Sequence, residues 1–321
     1  MPAEPIPFLD ADAIRDAVAI PDLLDAVEAA FRDVAEGRDR SPLRTQVELA
    51  DMRGTLLLMP GLRQGGAGAS VKLVTVMPDN AVRGLPTVQA LVVWLDATTG
   101  RPLAMLDGET VTAMRTGAAS GVATRLLART DATTAAVLGA GGQAEWQVRA
   151  VLAARPIHRV VVYARSRDAR EDFAERMRNA TGAEVEPAAS AEEAVREADV
   201  VCCATTASEP VFDAAWLRRG AHVNGIGAFR RGMVELPSDL FARAALVAID
   251  ARQAALAEAG DVLAAIEAGA LREDELVEIG AVPTDYATDR DPEAITVFKS
   301  VGLAIQDVAA AELIVRRLLP G

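Results

Sequence analysis

TTAAVLGAGGQA, residues 133–144, is the stretch that decides the fold. An apolar run, Ala135–Leu138, leads into Gly139, Gly141 and Ala144 at G-x-G-x-x-A spacing, and a helical pattern begins at Ala144. Gly139 permits a tight turn, Gly141 lets the backbone approach a pyrophosphate, and small Ala144 lets helix and strand pack closely. The helix N-terminus adds free N–H groups and the positive end of a dipole. Gly139, Gly141, Gly142, Gln143 and Ala144 are therefore the expected cradle for a dinucleotide. Glycine spacing alone is a weak signal; here the strand before it and the helix after it supply the context.

Downstream, strands and helices alternate: a helix near Ala144–Ala153, RVVVYA (159–164), a helix near Ala169–Thr181, AEEAVREA (191–198), DVVCCATT (199–206), AHVNGIGA (221–228) and ALVAID (245–250). This is the rhythm of a Rossmann-type, doubly wound parallel sheet. In an NAD-dependent enzyme the second strand, about 25 residues after the glycines, ends in an acid that binds the ribose 2′-hydroxyl. Ala164 holds that place, and Arg165, Ser166 and Arg167 set two guanidiniums and a hydroxyl where a 2′-phosphate would sit. A solvated basic turn is the alternative. The reading adopted is NADP(H) as the preferred cofactor, with NAD(H) as the second choice.

Upstream, Val18, Leu23, Leu24, Val27, Ala30, Phe31 and Val34 give Ile14–Glu36 a helical spacing interrupted near Pro21. TQVEL, TLLLMP, SVKLVTVMP and VQALVVWLD then read as short strands of a mostly antiparallel sheet. GLRQGGAGAS (61–70) resembles a phosphate loop, but it joins two strands with no helix after it, so a hairpin connection is expected. A helix runs from about Thr112 to Arg129, and ITVFKSVGLAIQDVAAAELIVRRLL (295–319) is a strand followed by an amphipathic helix that returns to the first domain. The fold class is thus α/β: a Rossmann-type doubly wound domain, residues 126–299, plus an α+β domain with a mostly antiparallel sheet, residues 1–125 completed by 300–321.

Composition narrows the function. With 321 residues and 51% hydrophobic content there is room for two cores, and no run approaches the roughly 18 apolar residues of a membrane span. The N-terminus carries neither the basic nor the apolar region of a secretion signal, which places the chain in the cytosol. A net charge of −13 argues against nucleic acid or acidic membranes as partners. Cys202 and Cys203 are adjacent in an apolar run and read as buried strand thiols. His158 and His222 are isolated from other ligand-type residues, so neither a metal site nor a histidine-based triad has support.

Three cations stand out as a substrate site. Arg115, in the first turn or so of the helix started near Thr112, opposes the helix dipole unless an anion lies between them. Lys72 shares a strand face with Val74 and Val76, where a lysine is out of pattern; spacing alone favours a snorkelling edge lysine over a functional one. Arg44, just before the first strand, reads as a surface residue on its own.

These residues lie in stretches that resemble the ornithine cyclodeaminase/mu-crystallin family: SPLRTQVEL (41–49) with LLLMPG (56–61), the run from VKLVTVMPDN at 71 to TRLLAR at 129, VLGAGGQA (137–144), and ITVFKSVGLAIQDVAAAEL (295–313). The resemblance implies a homodimer whose first domain carries dimerisation and substrate contacts. It implies that Arg44 and Arg115 hold a substrate carboxylate and that Lys72 is the active-site lysine. It also implies cofactor contacts from Thr87, Arg115, the fingerprint, Thr205, the turn Gly225, Ile226, Gly227 and Ala228, and Ser300.

One departure matters for function. Cyclodeaminases of the family carry an aspartate shortly after the glycine turn, whereas HVNGIGAFRRGMVELP (222–237) has Phe229 there and no carboxylate before Glu235. This form resembles the branch that reduces pyrroline-2-carboxylate or piperideine-2-carboxylate to proline or pipecolate. The expectation is an NADPH-dependent ketimine reductase acting on a small imino or amino acid. Ornithine cyclodeaminase, an alanine dehydrogenase-like enzyme and a non-catalytic NADPH-binding protein are the alternatives. Arg230 and Arg231 are read as solvated turn charges, with a cofactor or anion contact as the alternative.

Overall fold

Alternating apolar residues build a six-stranded sheet from β1 (Phe8–Leu9), β2 (Thr45–Leu49), β3 (Gly54–Leu62), β4 (Gly68–Val76), β5 (Val88–Asp96) and β6 (Pro102–Asp107). The strand order is β1-β6-β5-β4-β3-β2, antiparallel except for the β1–β6 pair. This computed structural model describes residues 5–49 and 54–319. β3 and β4 form the expected hairpin across the glycine-rich connection, with Leu62 opposite Ala69. The opening helical stretch is two helices, α1 (Ala11–Ala17) and α2 (Ile20–Ala35); the chain is extended at Val18 and Ala19, and Pro21 sits in the first turn of α2, where a missing N–H costs nothing.

Next comes α3 (Gly108–Leu127), four residues earlier than its sequence-based start. Asp107 explains the shift, because its Oδ1 accepts the Thr110 N–H at 2.8 Å and caps the helix. Arg115 therefore lies in the third turn and not, as expected, in the first, too far from the helix N-terminus to oppose its dipole.

Strands, apolar and buried on both faces except at the sheet's β9 edge, then alternate with helices: β7 (Thr134–Leu138), α4 (Ala144–Ala154), β8 (Arg159–Tyr163), α5 (Arg167–Thr181), β9 (Glu184–Pro187), α6 (Ala191–Arg196), β10 (Val200–Cys203) and β11 (His222–Gly225). The series closes with α7 (Ser238–Arg243), β12 (Ala244–Ile249), α8 (Arg252–Glu258), α9 (Gly260–Glu267), β13 (Leu276–Glu278), α10 (Tyr286–Asp289) and β14 (Ile295–Lys299). All eight strands are parallel, ordered β13-β12-β14-β11-β10-β7-β8-β9. Strand order reverses at β7, flanked by β8 and β10, and ligands of such sheets lie outside the carboxyl ends of the strands at that point.

The last helix, α11 (Ala304–Leu318), belongs with the first sheet. Ile305 and Ala309 pack on Ala30 of α2, while Ala304 joins Leu57, Met59 and Val74 of the sheet. Two compact units result: the chain up to Arg115 together with that from Leu303 onward, and Thr116–Gly302. Among the described residues no helix is long and apolar enough to cross a membrane.

Candidate functional site

In the second unit, β7 ends at Leu138 and Gly139 turns the chain at φ +114°, a conformation L side chains rarely adopt. A Cβ there would also stand 2.5 Å from the Ala204 carbonyl oxygen, so glycine is needed for both conformation and space. Gly141 and Gly142 are exposed, and a Cβ on either meets nothing within 4 Å. The turn thus opens onto free space at the start of α4. Gln143, preceding α4, makes no side-chain cap, and its Oε1 is buried without a partner among the described residues. Ala144 is fully buried in one core cluster with Ala135 and Val137. Open glycines before an uncapped helix N-terminus fit the pyrophosphate of a dinucleotide.

The basic turn after β8 has an internal division of labour. Ser166 caps α5 through its Oγ, which accepts the Ala169 N–H at 3.2 Å, and Arg167 Nε donates to Glu171 Oε1 at 2.7 Å. Arg170 donates to the Ala164 carbonyl at 2.9 Å and lies over the Tyr163 ring. Arg165 is exposed.

Thr205 follows β10, Gly225 ends β11, and Ile226, Gly227 and Ala228 continue from it; with the fingerprint they lie at the carboxyl ends of parallel strands. The carboxylate of Glu235, fully buried, gathers these turns by accepting the N–H groups of Thr205 at 2.5 Å, Gly227 at 2.7 Å and Ala228 at 2.9 Å. Both oxygens are engaged by backbone N–H groups, which gives Glu235 a structural task of its own. Ser300, just past β14, donates its hydroxyl to Asp250 Oδ2 at 2.9 Å. Phe229 is half-buried, Arg230 is exposed, and Arg231 donates to the Ala257 carbonyl at 2.9 Å.

The first unit holds the cations. Lys72, on the sheet face that also carries Met59 and Val92, points at a buried carboxylate that sequence reasoning missed, Asp307 of α11. Lys72 Nζ lies 2.9 and 2.8 Å from Asp307 Oδ1 and Oδ2, and Arg115 Nε donates to Oδ1 at 2.9 Å. Arg115 Nη1 donates to Gln306 Oε1 at 2.9 Å, which also accepts the Leu303 N–H. Lys72, Arg115, Gln306 and Asp307 are all buried. Desolvation drags the Lys72 ammonium down to about 7; Asp307 opposes that shift, whereas Arg115 and the half-buried Arg44 reinforce it. Lys72 and Arg115 thus share one buried carboxylate, with Arg44 near enough to act on Lys72, an arrangement that suits a further anion. Thr87 precedes β5, its carbonyl accepting the Met77 N–H.

Other candidates are structural. His222 is buried between Thr296 and Asn224, and burial lowers it to about 3, so it stays neutral. Cys202 and Cys203 are buried, with thiol pKa values pushed up, to about 12 for Cys202, which makes them inert. His158 is exposed.

Comparison with known proteins adds to this geometry. The model of the ornithine cyclodeaminase/mu-crystallin family matches residues 7–321. A Delta(1)-pyrroline-2-carboxylate reductase of Bacillus cereus is 36% identical, over 96% of this chain and 95% of its own length. An alanine dehydrogenase of Archaeoglobus fulgidus is 35% identical over 97% and 95%. The solved structure of Thermococcus litoralis Delta(1)-pyrroline-2-carboxylate reductase in complex with NADH and L-proline superposes with a TM-score of 0.92 at 35% identity, covering 98% of each chain.

Proposed function

The chain belongs to the ornithine cyclodeaminase/mu-crystallin family, and from that premise we propose that it is a cytosolic, NADPH-dependent reductase of a small cyclic imino acid. Pyrroline-2-carboxylate or piperideine-2-carboxylate would be the substrate, and proline or pipecolate the product. In this reading the first unit holds the acid and the second, through the fingerprint and the turns after β10 and β11, holds the dinucleotide. NAD(H) is the alternative cofactor, and the assembly is a homodimer.

The observation that carries the reading is the pair of buried cations, Lys72 and Arg115, on the single carboxylate of Asp307. Arg44 and Arg115 would hold the substrate carboxylate, Arg115 kept in place by Asp307 and Gln306. Lys72, with a pKa lowered to about 7, can give up or retain its proton at physiological pH, which suits a group that keeps an imine nitrogen protonated. The nicotinamide cofactor, when bound, supplies the hydride that goes to the C=N carbon. Phe229 stands where cyclodeaminases are expected to use an aspartate, and Glu235, the first carboxylate after it, is tied to backbone amides, which favours imine reduction over ring closure from a diamine.

A second reading, oxidation of alanine or amination of its keto acid, is favoured by the similarity to the archaeal alanine dehydrogenase. NADPH and NADH oxidation should be followed with both cyclic imines and with pyruvate plus ammonium, beside ammonia release from ornithine with the oxidised cofactors. Reduction of a cyclic imine without ammonia from ornithine is expected. Faster turnover of pyruvate would favour the second reading, and cyclodeamination without imine reduction would overturn both.

A further inference from the structure

We propose that Glu235 is a positioning residue for the bound dinucleotide: it ties the turn after β10 to the turn after β11 and places an excess negative charge behind them that favours the oxidised nicotinamide ring. The inference rests on the dinucleotide-binding reading above.

The two turns belong to neighbouring parallel strands, and their only charged anchor among the described residues is this carboxylate. Oε1 accepts from Thr205, and Oε2 accepts from Gly227 and Ala228. Burial pushes the Glu235 carboxyl above its ordinary range, while Lys299 and the N–H donors on its two oxygens work against that and favour the anion. The turns touch closely: a Cβ on Gly227 would collide with the backbone of Thr205. Val234 N–H to the Ala207 carbonyl and Val211 N–H to the Glu235 carbonyl, at 3.0 and 2.9 Å, fix the segment that delivers the side chain.

Glu235 is one of three fully buried charges in a row. Its own N–H and that of Leu236 donate to Asp261 Oδ1 at 2.5 and 2.9 Å, and Asp261 Oδ2 pairs with Lys299 Nζ at 2.6 Å. Two acids against one base leave one negative charge in surplus, where water cannot screen it. A dinucleotide across the carboxyl ends of the strands meets the turns that Glu235 holds. Its nicotinamide ring is cationic when oxidised and neutral when reduced, so the surplus charge acts on one form and not the other. A loop anchor with no charge role would affect both forms alike.

The test is the dissociation constant of the oxidised and the reduced cofactor, measured by fluorescence and calorimetry on the full chain. Glu235→Gln should weaken the oxidised form about tenfold more than the reduced one, and Lys299→Met, which deepens the negative surplus, should move the ratio the opposite way. Hydrogen exchange of Glu235→Gln without cofactor should show lost protection at Thr205, Gly227 and Ala228. Equal weakening of both forms, or an unchanged ratio, would overturn the inference. If Glu235→Gln does not fold, the sign of the Lys299→Met change decides it. Wild-type protein that bound neither form would instead overturn the dinucleotide reading itself.

Discussion

At Lys72 two effects oppose each other: burial strips water from the ammonium, and Asp307 puts an anion beside it. The balance near 7 gives a pH prediction with a defined sign. If the charged lysine is the working form, kcat/KM for a cyclic imine is high below about pH 7 and falls as pH rises through that value, since kcat/KM reports the free enzyme. Lys72→Arg, which stays charged, should move the fall upward by more than one pH unit; a fall at the same pH in both proteins would assign it to another group. The basic turn offers a second test at this scale. Arg167 already has Glu171, whereas Arg165 is exposed with no comparable partner among the described residues. Arg165→Ala should therefore weaken NADPH by about tenfold with little effect on NADH, and Arg167→Ala should do less. Equal effects on the two cofactors would reduce the turn to a solvated surface feature.

The strand-turn-helix of β7 and α4 makes opposite demands on its first two glycines. Gly139→Ala forces a Cβ into a positive φ and against Ala204, so both melting temperature and cofactor affinity should drop. Gly141→Ala fills only open space; the protein should melt as wild type does while cofactor affinity falls, and unchanged affinity would place the pyrophosphate elsewhere. This element was legible in the sequence because buried parallel strands are continuous apolar runs and the glycines punctuate them. Lys72 was legible as a charge out of pattern, but the snorkelling edge lysine that its spacing favoured is not what the structure shows: β4 is an interior strand and Lys72 is buried against Asp307. Asp307 was not legible, because every residue from Ala304 to Glu312 of α11 is buried, so an acid there looks like the polar side of an amphipathic helix when it faces a buried cation. β1 is only two residues long, and β9 alternates with acids, which is why neither pattern announced a strand.

At the scale of the whole molecule, the first sheet leaves an apolar face uncovered among the described residues. Leu58, Leu73 and Leu91 are opposite one another on neighbouring strands, as are Val71, Val93, Met105 and Phe8, and this face of the first sheet lies opposite the Lys72 face. Phe8 is 55% and Leu73 39% exposed. A patch of this kind on a sheet face marks a partner site, and a second copy of the chain is the proposed occupant. Sedimentation equilibrium at micromolar concentration should give a dimer, and Leu73→Glu a monomer; a wild-type monomer would remove the proposal.

The first unit is discontinuous in sequence, and that has a consequence for biosynthesis. Strands β3, β4 and β5 leave the ribosome early, yet α11, which supplies both their cover and Asp307, follows the entire second unit in the chain. At about 5–20 residues per second the wait is on the order of ten seconds or more. During that interval Lys72 lacks Asp307 and the sheet lacks α11, and the second unit is itself incomplete until β14, which lies between β12 and β11, has been made. Both units are therefore completed together, the second by β14 and the first by α11 immediately after it.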